Sequence, residues 1–61
     1  MKIKASDNFG RETVSDWLVC ENVNDHMGAL IVKMLNDSEG PMAPWCYELV
    51  SDDHVLHVWG P

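Results

Sequence analysis

Basic residues are scarce in this chain. Only four Lys and Arg stand against ten Asp and Glu among 61 residues, a net charge of −6. Three of the bases, Lys2, Lys4 and Arg11, fall in the first eleven residues, and from residue 12 onward nine acids face Lys33 alone. Phosphate recognition needs clustered Lys and Arg, so nucleic acid and anionic membranes are excluded as direct ligands. A field of this sign suits a basic protein partner, or serves solubility alone. No apolar run approaches the roughly 18 residues of a membrane span, and the N-terminus lacks a signal-peptide core. The chain opens directly on what reads as a strand, so the expected location is the cytoplasm. The two cysteines, Cys20 and Cys46, are then expected as reduced thiols, and the Asn36-Asp37-Ser38 sequon carries no glycan.

A chain of 61 residues makes one domain, 1–61, whose core is marginal for its size. Pairing with a second copy is a usual remedy, along with metals and disulfides. A homodimer is therefore expected.

The apolar pattern divides the chain into short elements. Lys2-Ile3-Lys4-Ala5 alternates as a half-buried strand does. Ser6 to Gly10 gathers turn formers, and Thr13 to Cys20 reads as a second strand, with Leu18 and Cys20 on one face and Trp17 and Val19 on the other. Asn24 or Asp25 caps a helix over Asn24 to Asn36, in which Met27, Leu30, Ile31, Met34 and Leu35 keep the spacing of one apolar face. The small Gly28-Ala29 pair permits close approach to a sheet. Ser38 to Pro44, with Gly40, Pro41 and Pro44, reads as an extended connection. Trp45 to Val50 is a third strand, Ser51 to Asp53 a tight turn, His54 to Trp59 a fourth strand, and Gly60-Pro61 ends it. The expected fold is α+β, ββαββ, with one helix packed on a small, mostly antiparallel sheet.

His54 and His57 raise the question of a metal. On a helix they would share a face, but on a strand residues three apart point to opposite faces. Zinc spacings also ask for close pairs, and Cys20 and Cys46 are isolated. No metal and no cofactor is expected. His26, in the first helical turn, reads as an exposed or rim residue. A Cys-His nucleophile pair would have to be assembled from scattered segments, Asp52-Asp53 reads as turn chemistry, and no phosphate loop or nucleophile elbow is present. The chain reads as a non-enzyme.

Three tryptophans are many for so small a core. Trp17, Trp45 and Trp59 fall on expected strands whose faces are apolar on both sides at the second and fourth. One reading is a Trp-rich core with ragged alternation. The other is a surface in which Trp17, Trp45, Tyr47, His57 and Trp59 meet a second copy or a partner, since Trp and Tyr dominate interface anchors. Asp37 and Glu39, expected just beyond the helix C-terminus, are unfavourable there by a few tenths of a kcal/mol. With Asp52 and Asp53 they form a candidate acidic rim.

The stretches "SDNFGRETVSDWLV", "LND" after an amphipathic helix, and "PWCYELVSDDHVL" together resemble a group of very small bacteriophage and prophage accessory proteins. The resemblance covers nearly the whole chain and is one of pattern, with no catalytic residues to carry over. It implies a phage protein in the host cytoplasm that binds a host protein, such as a component of anti-phage immunity, and blocks it by stoichiometric occlusion. The alternative is a small structural or regulatory homodimer without a host target, its acidity serving solubility.

Overall fold

The computed structural model describes residues 1–60; Pro61, the last residue of the expected terminal Gly-Pro stop, lies outside them. Three strands, β1 (Lys2–Asp7), β2 (Trp17–Cys20) and β3 (Trp45–Val50), form one antiparallel sheet in the order β2-β1-β3. A single helix, α1 (Asp25–Glu39), connects β2 to β3. The α+β class and the helix on an antiparallel sheet are as expected. The fourth strand is not: His54 to Trp59 makes no ladder with β3.

β1 is central, and its alternation sets the two faces. Ile3 and Ala5 are fully buried. Their partners on β3 are Leu49 and Tyr47, and residues directly opposite share a face. Lys4, one residue out of phase, lies on the other face opposite Glu48 and Leu18. Expected alternation fails in β2 because the register shifts at Ile3/Lys4, so that Cys20 pairs with Ile3 while Leu18 pairs with Lys4. Val19 is the extra residue of a bulge, and both Val19 and Cys20 pack on the core. Cys20 thus shares the face of Trp17 rather than that of Leu18.

α1 starts where the sequence says it should. The Asn24 side chain accepts from the Met27 N–H at 2.8 Å, and Asp25 stands in the first turn, where the dipole favours it. Its end lies three residues beyond the expected Asn36. Gly40 adopts φ +77°, and its N–H closes on the Asn36 carbonyl at 3.1 Å, so the helix runs to Glu39. Gly28 is buried against the sheet; a Cβ there would lie 2.5 Å from Leu49 Cδ1.

The helix covers β3 and β1, not β2. Ile31, Val32 and Leu35 reach the core with Val23 and Leu49. Met27, Leu30 and Met34 do not: they remain 49, 44 and 69% exposed. The apolar arc of the helix is wider than the sheet beneath it. Asn36 shows which way the uncovered flank points. Its amide donates to the Tyr47 carbonyl and accepts from the Tyr47 N–H, both at 3.0 Å. Those groups belong to the edge of β3 turned away from β1. At 100° per residue, Met27 and Met34 fall opposite Asn36, so their stripe overlooks the β1–β2 side.

Candidate functional site

The nine residues between β1 and β2, 8–16, form a scaffold rather than a free loop. Arg11 grips Asp7 with its guanidinium at 2.6 and 3.0 Å and its backbone N–H at 2.7 Å. The Arg11 side chain holds the Asp7 carboxyl down at about 2, and the guanidinium also lies over the Phe9 ring at 5.4 Å. This fixes the start of the segment Glu12–Asp16, and that segment holds the C-terminal residues.

Beyond β3 the chain turns at Ser51–Asp53, where the His54 N–H reaches the Ser51 carbonyl at 3.1 Å. It then runs to the other side of the sheet as a strap. His57 donates its N–H to Asp16 Oδ2 at 3.0 Å, and its carbonyl accepts the Asp16 N–H at 2.8 Å. The His57 ring Nε2 lies 2.8 Å from the Glu12 carbonyl, which assigns it the proton, and Trp59 N–H donates to Ser15 Oγ at 2.8 Å. A segment joining the β3 edge to the β2 side must cross β1. The helix occupies one face, and Lys4 on the other face shares Asp16 Oδ2 with His57 at 3.1 Å. The strap therefore crosses the face opposite the helix.

Asp16 is the pin of this arrangement. Its side chain is 6% exposed and that of Lys4 13%. Burial alone would push its carboxyl up, but the His57 N–H and the Lys4 ammonium together outweigh that and leave it below the usual carboxylate range.

Polar bonds fix the strap while its apolar side chains point outward. Val55, Val58 and Trp59 are 86, 75 and 55% exposed, whereas His54 and Leu56 are half-buried. The strap begins at Asp52 and Asp53, both exposed. Asp52 meets the Met1 ammonium at 3.1 Å, and Asp53 accepts from Ser51 Oγ at 2.7 Å, a bond that lowers its carboxyl. The Met1 ammonium also donates to the Val23 carbonyl at 2.8 Å. It thereby ties this turn to the stretch carrying Glu21 and the first helical residue, Asp25, two exposed acids at the same end that lie outside the expected acidic rim.

The expected interface residues thus separate into two groups. His57 and Trp59 lie on the strap. Trp17, Trp45 and Tyr47 gather on the helix side, where Trp17 meets Trp45 edge-on at 5.7 Å and Tyr47 at 6.5 Å. Tyr47 is buried and Trp45 half-buried, so they act largely as packing for the part of the face that the helix leaves open, with Trp17 at its margin. The expected acidic rim also divides. Asp37 and Glu39 sit in the last helical turn, not beyond it, near the Trp45 end of β3. Asp37 pairs with Lys33 at 2.8 Å, and Glu39 accepts the Tyr47 hydroxyl at 2.9 Å, a bond that raises the phenol. Asp52 and Asp53 follow the other end of β3, about 17 Å away along a six-residue strand.

His54 and His57 are not on a strand, and His57 is engaged by Glu12 and Asp16. Among the described residues, no group of three or more His, Cys, Asp or Glu is placed to hold a metal ion, and no helix is long and apolar enough to cross a membrane. An open depression of about 420 Å³ lies between Asn8, Asn36, Asp37, Gly40, Pro41, Trp45 and Cys46. Its two amides are spent on backbone groups: Asn8 on the Pro41 and Ala43 carbonyls, Asn36 on Tyr47. Compared with protein-family models, curated proteins and solved structures, the chain shows no match to any.

Proposed function

We propose that this is a small acidic binding protein, not an enzyme, that occludes a basic surface of another protein through its strap. The observation that supports it is the outward presentation of Val55, Val58 and Trp59 on a segment fixed by polar bonds to Glu12, Ser15 and Asp16. An apolar segment held in place before binding loses little freedom on association. Asp52 and Asp53 at its start, with Glu21 and Asp25 at the same end, supply the field that steers a basic partner. The resemblance to phage accessory proteins makes a bacterial host protein, and within that class a defence component, the proposed target. Its setting is then the host cytoplasm.

The test is affinity capture from bacterial lysate with the parent protein and a Val58→Ala/Trp59→Ala variant side by side. The parent is expected to retain a basic protein in a fixed stoichiometry, and the variant to lose it. Equal retention by both would remove the strap from the account.

A further inference from the structure

The uncovered flank of α1 does not suit the partner proposed for the strap. A basic surface gains nothing where there are no acids, and His26 to Asn36 is the longest stretch of the chain without Asp or Glu. Met27, Leu30 and Met34 form its exposed stripe. In a chain of net charge −6, this helix flank is where two copies can approach with least like-charge opposition.

We propose that the Met27–Leu30–Met34 flank is a homodimer surface on which α1 packs antiparallel against α1 of a second copy. The spacing is self-complementary. Met27 and Met34 lie at equal sequence distance from the point between Leu30 and Ile31, so a two-fold axis there sets Met27 against the partner's Met34 and Leu30 against its own equivalent. This is the requirement of an isologous contact. Antiparallel helices also place each negative C-terminal end beside a positive N-terminal end. Asp37, on the border of the stripe, then faces the N-terminal turn and the His26 imidazole of the other copy. Asp25 falls on the far side of the helix from the stripe and is kept out of the contact. Because the stripe overlooks the part of the sheet that α1 leaves open, the second helix occupies that space and covers the margin at Trp17. The strap crosses the opposite face and stays free.

The inference is independent of the strap's target and is tested on the purified chain alone. Sedimentation equilibrium over micromolar to millimolar concentrations is measured for the parent, Met34→Glu and Met42→Glu. Met42 is 81% exposed and lies outside the stripe, in the connection after the helix. Circular dichroism checks that each variant keeps the parent fold, with Leu30→Lys as a second stripe variant should Met34→Glu lose it. The expected result is a parent dimer, a dimer of the same strength for Met42→Glu, and a dissociation constant raised about tenfold or more for the stripe variants, which place a charge in the contact twice. A parent that stays monomeric throughout would overturn the proposal. So would a dimer that a folded stripe variant leaves intact.

Discussion

At the residue scale, Asp16 joins three parts of the molecule: the central strand through Lys4, its own loop, and the strap through His57. A hydrogen bond to a charged group is worth about 1.5–3 kcal/mol, and here the Asp16 and Lys4 side chains are largely out of water. Asp16→Ala is therefore expected to lower stability by about 2–3 kcal/mol, read from the denaturant midpoint, and to speed exchange of the His57 and Trp59 amides. The same bonds set a pH dependence. The folded Asp16 carboxyl lies below its ordinary value of about 3.9, so its contribution is fully present above about pH 4 and is lost as pH falls through the lower folded value. Asp7, held at about 2 by Arg11, adds a loss of the same sign over the range between about 4 and 2. Denaturant midpoints measured from pH 5 to pH 2 should fall for the parent and fall less steeply for Asp16→Ala. Parallel profiles would show that Asp16 titrates normally.

At the element scale, Gly28 controls how closely α1 approaches β3. Replacing it by Ala recovers up to about 1 kcal/mol of helix propensity but pushes Leu49 Cδ1 out of a 2.5 Å approach. An off-rotamer shift of that kind costs about 0.5–1.5 kcal/mol. The terms nearly cancel, so Gly28→Ala should change stability by less than about 1 kcal/mol, whereas Gly28→Leu overpacks the junction and should cost about 1–3 kcal/mol or more. Thermal melts of the two variants decide it. The same balance of local and tertiary terms separates what the sequence disclosed from what it hid. β3 was legible to the residue, bounded by Pro44 and the polar Ser51 turn, and the helix cap was legible as Asn24 or Asp25, of which Asn24 fills it. The helix end was not, because a positive-φ glycine closes a helix after Glu39 as readily as it starts a loop. The missing fourth strand has a tertiary cause. A hairpin from His54 onward would have to bond the outer edge of β3 at Tyr47, and Asn36 already fills that edge from the helix. The strap goes instead to Asp16, which is also why β2 starts at Trp17 and not at Thr13. The wide apolar arc of α1 was visible as spacing, but which half the sheet would cover was not, since that depends on where Asn36 anchors it.

At the scale of the whole molecule, the protein is a thin slab, 12 Å through its shortest Cα extent, with a small core: among the described residues, Ile3 is the only large side chain fully buried. Its accessible surface of 4277 Å² is somewhat above the roughly 4,000 Å² expected for its mass. Such a slab has two broad faces and little interior, which puts most of its apolar groups within reach of other molecules. Charge and apolar surface are distributed unequally between those faces: the stripe of α1 lies in an acid-free stretch, while the strap starts from an acidic end. That asymmetry is the basis for assigning a second copy to one face and a basic partner to the other. The binding claim divides into steering by the acids and holding by the strap, and the two act on different rate constants. The measurement that separates them is the association and dissociation kinetics of the captured partner across salt concentrations, for the parent, Asp52→Lys/Asp53→Lys and Trp59→Ala. Slower, less salt-dependent association is expected for the double Lys variant with dissociation little changed, and faster dissociation for Trp59→Ala with association little changed. A double Lys variant that associates as fast as the parent at low salt, with Trp59→Ala dissociating at the parent rate, would contradict the binding claim.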